Sequence, residues 1–420
     1  MQDAAARGTR GGDAGRALGA LLEAHAAYRS STLNLVASEN VLSPAVRAAL
    51  STDLLGRYAD YPGRDPSKRR YRGNRYIAEI EALAVRLAAE RFGARFVELR
   101  AIAGHLAGIA IVMGLCRPGD VVFEVGREGG GHREAGRLVV APLASLDVEY
   151  LPFDAQAFNV DADAAVRRIE ERRPRLVILG SSNFLYPHPV RAIADAVHRV
   201  PDAVLAYDAS HVLGFLAAGR FQDPLGEGAD IVFGSTHKTF PGPQGGIIFS
   251  NDDALMDRVS EALVPALVTN HHPFRMPGMV VALEEMATWG EAYAEAIVAN
   301  ARALARALVA RGVPVVEAGG RPTDSHTILL RVSAFGTGDA VSARLETAGI
   351  MSTGAFLPES LGREGIRMGS QEVTRLGATP QTMEWAAELI AAVVTGSRQP
   401  EEVHPDVAEL AGTLGPIRFA

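Results

Sequence analysis

Residues 234–246 read GSTHKTFPGPQGG, and the lysine in their midst is the side chain best suited to covalent chemistry. The chain has 42 Lys plus Arg, yet only Lys68 and Lys238 are lysine. A GC-rich coding sequence would account for the general use of arginine and makes the two lysines more informative. Lysine offers what arginine cannot, a primary amine that loses its proton and attacks a carbonyl. Thirty residues before it, Asp208 ends the apolar run AVLAYD. His132 lies in the glycine loop EGGGHRE, after VVFEV. Ala103-Gly104-His105 opens HLAGIAIVMGL, whose free N–H groups at a helix start suit a phosphate. Amine, carboxylate, ring and anion site together suit pyridoxal phosphate. Lys238 would form the Schiff base, Asp208 would keep the pyridine nitrogen protonated, and His132 would stack on the ring. Taken singly, each residue has a plainer use: a strand-end Asp caps a turn or helix, and glycines serve any tight turn.

These residues need a scaffold, and the hydrophobic pattern supplies one. VVFEV (121–125), RLVILG (175–180), AVLAYD (203–208) and DIVFGS (230–235) read as strands. ADAAVRRIEERR and PVRAIADAVHRV read as helices between them. Alternation of this kind predicts an α/β fold with a largely parallel sheet covered on both faces. In such sheets ligands collect beyond the C-terminal strand ends, where Asp208 and Lys238 fall. YIAEIEALAVRLAAERF (76–92) predicts an amphipathic helix stopped by Gly93. A long helical stretch over 280–312 links to a smaller α+β domain, with VPVVEAGG, SHTILLRVS and GIRMGS as strands. The expected organisation is a disordered tail (1–16), an N-terminal helix and arm (17–60), a large cofactor-binding domain (61–285), and a linking helix with a small C-terminal domain (286–420).

YDASHVLGFLAAGRF, GSTHKTFPGPQGG, LNLVASEN and GIRMGSQEVTRLG resemble motifs of serine hydroxymethyltransferase, a pyridoxal-phosphate enzyme of the aspartate-aminotransferase fold (fold type I). The likeness covers about residues 33–390. It implies Lys238 as the Schiff-base lysine, Asp208 as the pyridinium partner, His211 by the phenolic oxygen and His132 on the ring. It also implies Ser182 and His237 among the cofactor contacts, with Ala103, Gly104 and His105 at the phosphate. Arg367 and Ser38 would hold the amino-acid carboxylate, for which a planar guanidinium fork is well shaped. Tyr58 matches a tyrosine given to the neighbouring subunit's site, which implies a homodimer with shared active sites.

The departures from that family are equally informative. The phosphate turn usually carries serines on both sides of its glycine, where this chain has Ala103 and His105. The usual acid/base Glu of KYAEGYPG has Asp60 of RYADYPG as its nearest equivalent. Two leucines that sandwich the folate pterin fall on Arg127 and Arg133, and an asparagine that bonds it falls on Ala355. These changes argue against tetrahydrofolate, although loop arginines commonly just face solvent. VTNHHPF (268–274) replaces a glycine-rich turn, so that His271 or His272 could reach the neighbouring site or simply cap the turn. Together, THKT-x-PGPQ, R-x-GGGH and D-x-SH resemble the L-threonine transaldolase subgroup, which works without folate. That resemblance implies retro-aldol cleavage of L-threonine to a cofactor-bound glycine quinonoid and acetaldehyde. Addition to a second aldehyde, such as uridine-5′-aldehyde, then gives a β-hydroxy-α-amino acid. Asp60, His132 or an ordered water are the candidate bases. A folate-using serine or α-methylserine hydroxymethyltransferase, a threonine aldolase and an inactive binding protein are the alternatives.

Bulk properties narrow the field without naming a reaction. The formal charge of −7 over 420 residues argues against general nucleic-acid binding. A single cysteine, Cys116, cannot form an internal disulfide and fits a reducing, cytoplasmic setting. No apolar run reaches the roughly 18–20 residues of a membrane span, and no metal site is expected.

Overall fold

The computed structural model describes residues 2–138 and 145–420. Seven strands build the main sheet: β1 (Phe96–Glu98), β2 (Val121–Val125), β3 (Asp147–Leu151), β4 (Leu176–Gly180), β5 (Val204–Asp208), β6 (Ile231–Ser235) and β7 (Gly246–Ser250). Their order across the sheet is β1-β7-β6-β5-β4-β2-β3. The pairs β2–β3, β2–β4, β4–β5 and β5–β6 are parallel, whereas β7 runs antiparallel to both its neighbours. The four strands expected from sequence thus form the centre. Strands β4, β5 and β6 are buried along their whole length, as a sheet covered on both faces requires.

Helix Arg75–Phe92 ends where expected, because Gly93 takes a left-handed φ of 62°. The long helix runs Arg275–Ala310, five residues earlier than its expected start. Pro277 is tolerated there because first-turn N–H groups have no helical partner. The proposed domain boundary at 285/286 therefore falls inside a continuous helix. The hydrophobic cores change over between Ile297, packed in the large core, and Ala301, packed in the small one. Leu33 and Leu35 also belong to the small core, and Leu33–Asn34 pairs in parallel with Ile350–Met351. The N-terminal arm is thus shared between the two domains.

The small domain has three antiparallel strands, β8 (Thr327–Arg331), β9 (Thr353–Phe356) and β10 (Glu364–Gly369), in the order β8-β10-β9. VPVVEAGG is not one of them. It makes only isolated bridges, Val315 to Leu330 and Ala318 to Arg321, because Pro314 has no N–H to continue a ladder. Residues 2–16, expected as a disordered tail, belong to a helix Gln2–Ser30 whose Ala, Leu and Arg content favours that state. Its last turn is tied to the body, through Arg29 to Glu39 at 3.1 Å and to Glu372 at 3.6 Å. Among the described residues no helix is long and apolar enough to cross a membrane.

Candidate active site

Strands β4, β5 and β6 end at one edge, and their final residues converge. Gly180 closes β4 at φ 152°; a side chain there would lie 2.5 Å from the Asp208 Cβ. Glycine is what lets Asp208 sit beside it. Asp208 itself is buried and accepts the Ser210 N–H at 2.8 Å. Burial, then the charge of Glu134, push its carboxyl up, against the pull of Lys238. Lys238 follows β6, and its carbonyl accepts a bond of 2.7 Å from Asn40 of the N-terminal arm. Burial lowers its amine to about 8, with Asp208 opposing. Roughly a tenth of the amine is therefore unprotonated at about pH 7, the form that attacks a carbonyl.

Histidines surround this pair. His211 stacks on His326, with ring centroids 5.6 Å apart and planes at 15°. Burial, then Lys238 and Arg367, hold His211 far below its ordinary value, and burial lowers His326 to about 3. Burial thus favours the neutral form of both rings. Burial and Lys238 bring His237 down to about 4, and its Nδ1 is buried without a partner. His132 meets the edge of His105 at 5.2 Å and contacts Glu134 through Nδ1 at 2.5 Å. Helix Gly104–Leu115 starts at this edge; a Cβ on Gly104 would lie 2.9 Å from the Ser235 backbone nitrogen. That approach brings the helix N-terminus to the end of β6.

Arg367 on β10 reaches back across the interdomain cleft, donating from Nη1 to the Ser182 carbonyl at 3.0 Å. Burial lowers its guanidinium to about 10, and its Nε has no partner. Among the described residues no carboxylate forms an ion pair with it. Ser38 and His237 line a cleft of about 600 Å³ with Asn40, Gln244 and Glu372. The pyridoxal phosphate expected from sequence fits these residues. A free amine and a buried carboxylate lie beside a helix N-terminus, with orphaned buried nitrogens on His105 and His237.

Glycine-containing strand ends, a lysine with a lowered pKa and a part-buried arginine with no ion-pair partner among the described residues define a cofactor-and-carboxylate site. Comparison with known proteins gives its lineage. Residues 14–390 match the family model described as serine hydroxymethyltransferase. The chain belongs to the serine hydroxymethyltransferase family. A serine hydroxymethyltransferase of Methanopyrus kandleri is 44% identical over 403 residues, covering 95% of this chain and 93% of that relative. One from Pyrococcus furiosus is 40% identical over 396 residues, covering 92% of each. The crystal structure of L-threonine transaldolase from Pseudomonas fluorescens in its internal aldimine state is similar with a TM-score of 0.91. It is 28% identical, covering 98% of this chain and 94% of that one. Pyridoxal phosphate is thus the cofactor of this serine hydroxymethyltransferase-family enzyme.

Not every candidate converges within one chain. Tyr58 is 52% exposed and packs on Tyr71 at 5.2 Å, while the Asp60 Oδ1 is buried without a partner. Among the described residues, neither side chain hydrogen-bonds to the Lys238 cluster. His271, considered for a neighbouring site, is instead buried and hydrogen-bonded to Glu81. His272 is exposed, at φ 56°. Sequence reasoning missed Glu134, His326 and Asn40. Glu134 stood within the quoted EGGGHRE, so its distance from His132 was the available signal. Nothing in SHTILLRVS shows that His326 returns to a histidine 115 residues away.

A buried carboxylate pair lies behind the glycine loop. Glu124 accepts the N–H groups of Ala135 at 3.1 Å and Gly136 at 3.0 Å. Burial, then the charge of Glu134, push its carboxyl up to about 7. A raised folded-state pKa contributes stability below the unfolded carboxylate value that is lost as pH rises through about 7. Glu124→Gln should therefore flatten this loss. Measured by denaturant titration from about pH 5 to about pH 8, the variant should gain on wild type by about 2 kcal/mol at the upper end. A pH-independent difference would rule out Glu124 as the titrating group.

Proposed function

We propose that this family member is a folate-independent L-threonine transaldolase. It cleaves L-threonine between Cα and Cβ, releases acetaldehyde and adds the retained glycine unit to a second aldehyde. The product is a new β-hydroxy-α-amino acid. The observation that carries the reading is a contact between the glycine loop and the small domain. The Arg127 guanidinium lies over the Phe356 ring at 4.5 Å, with Ala355 next to it in β9. A flat pterin would meet a cation there instead of an apolar wall. Arg133 adds a second positive charge on the same loop, at a left-handed φ of 62°. Two arginines on this loop suit a polar acceptor such as a nucleoside 5′-aldehyde.

Bound pyridoxal phosphate supplies an electron sink for the bond broken at Cα. Lys238 would hold it covalently, and Asp208 would face its ring nitrogen. The first N–H groups of helix Gly104–Leu115, with His105 and His237, would hold its phosphate. His211, His132 and Ser182 would complete the pocket. Arg367 and Ser38 would grip the substrate carboxylate. Asp60, His132 or a water would take the β-hydroxyl proton. Tyr58 and Asp60 would act on the site of a second copy. Leu18, Leu21 and Leu22, 57–68% exposed on the N-terminal helix, give such a dimer an apolar face.

The sequence relatives favour a second reading, a tetrahydrofolate-dependent serine hydroxymethyltransferase. Product analysis with L-threonine and a panel of aldehydes, with and without tetrahydrofolate, separates the two. The expected result is acetaldehyde release and new β-hydroxy-α-amino acids, unchanged by folate. Serine cleavage that rises about tenfold or more on adding tetrahydrofolate would establish the second reading instead. Glycine and acetaldehyde alone, whatever acceptor is offered, would mark a simple aldolase.

A further inference from the structure

We propose that Glu134 is a positioning residue for His132, accepting its Nδ1–H so that Nε2 is the nitrogen that takes the substrate's β-hydroxyl proton. The inference deepens the reading above and rests on it for the identity of the substrate.

The contact is short, 2.5 Å from Nδ1 to Oε1, and its two ends differ in exposure. The Glu134 side chain is 4% exposed, whereas that of His132 is 31% exposed. The carboxylate is therefore packed away while the imidazole opens into the site. Burial disfavours the Glu134 charge, but the hydrogen bond from His132, the largest lowering cause, holds its carboxyl below the usual range. An ionised carboxylate can only accept, so the proton between the two groups belongs to Nδ1. The neutral ring then carries its lone pair on Nε2. Among the described residues Nε2 makes no hydrogen bond within the chain, and the His105 ring stands edge-on at 5.2 Å.

The surroundings hold Glu134 in place. On the facing helix, a Cβ at position 108 would lie 2.5 Å from the Glu134 Cγ and 2.9 Å from the Phe233 Cε2. Gly108 is thus the residue that leaves room for this side chain. Behind it, Glu124 binds the N–H groups of Ala135 and Gly136, which fixes the first turn of helix Glu134–Leu138. A buried carboxylate costs free energy unless it is paired. Among the described residues, His132 is its one side-chain hydrogen-bond partner.

The step balances. The β-hydroxyl proton moves to Nε2, the oxygen's electron pair forms the aldehyde C=O, and the Cα–Cβ pair is left on Cα. The resulting imidazolium keeps its Nδ1–H on Glu134. On addition to the second aldehyde, the new alkoxide oxygen recovers the proton from Nε2.

Two measurements test the dyad. The first is the tautomer of His132, read by ¹⁵N NMR on histidine-labelled, cofactor-free protein. Wild type should show Nδ1–H, and Glu134→Ala should shift the ring toward Nε2–H. The second is threonine cleavage by the holoenzyme. Glu134→Gln keeps an acceptor oxygen but loses the charge that stabilises an imidazolium. It should lower kcat about 10–100-fold and leave KM and cofactor absorbance within about twofold. Glu134→Asp should recover part of the loss. An Nε2–H tautomer in wild type, or an unchanged kcat in Glu134→Gln, would overturn the proposal. The tautomer is read without cofactor. An Nδ1–H ring in a wild-type chain that cleaves no threonine would therefore uphold the dyad geometry and sink the assigned reaction.

Discussion

Lys238→Ala should abolish both turnover and the visible absorbance of bound cofactor. The activity loss should be at least about 10³-fold, since no other residue at the site can supply a primary amine. The only other lysine, Lys68, is 65% exposed on its side chain and lies 3.9 Å from Asp65. Lys238→Arg should fail almost as badly, because a guanidinium keeps its proton. Wild-type protein offers a further check. Burial sets the Lys238 amine at about 8, so the rate of reloading stripped protein should rise with pH below that value and level off above it. A Lys238→Ala protein that turns over normally, or loading that is flat from about pH 6 to about pH 9, would remove Lys238 from the chemistry.

Arg367→Ala should raise KM for the amino acid by about 100-fold and leave cofactor content near wild type. The size of the effect follows from the site's electrostatics. Arg367 is part-buried, has one hydrogen bond to a carbonyl, and carries an unpartnered Nε. Burial has already lowered its guanidinium to about 10, so the free protein carries a poorly compensated cation. A substrate carboxylate supplies the missing charge and two acceptors. Without substrate, removing the cation should leave the thermal midpoint unchanged or raised, since an uncompensated buried charge is destabilising. Unchanged substrate affinity, with a large fall in stability, would make Arg367 a structural residue of the cleft. Arg367→Lys should recover only part of the affinity, because a point charge lacks the planar fork.

The central parallel strands were legible because each is short, mostly apolar and bounded by polar turns. Their spacing set Asp208 and Lys238 on adjacent strand ends. Gly93 was legible as a helix stop because only glycine takes φ 62° without strain. VPVVEAGG misled because apolar content alone does not reveal that Pro314 interrupts the ladder. The long helix misled as a domain boundary because helical periodicity is the same on both sides of Ile297, while the core it faces changes there.

The sequence by itself determined the chemistry that was possible: one lysine in the right neighbourhood, an aspartate thirty residues before it, a histidine after glycines and an arginine in GIRMGS. Those are properties of residue type and strand order, which local patterning encodes. Tertiary structure alone decided which groups tune that chemistry. The Lys238 amine is lowered by burial among side chains from distant segments, and His326 reaches His211 across 115 residues. Glu134 finds its pocket because Gly108 on another helix leaves the space. Desolvation and close approach act through space, so they exist only once the chain has folded.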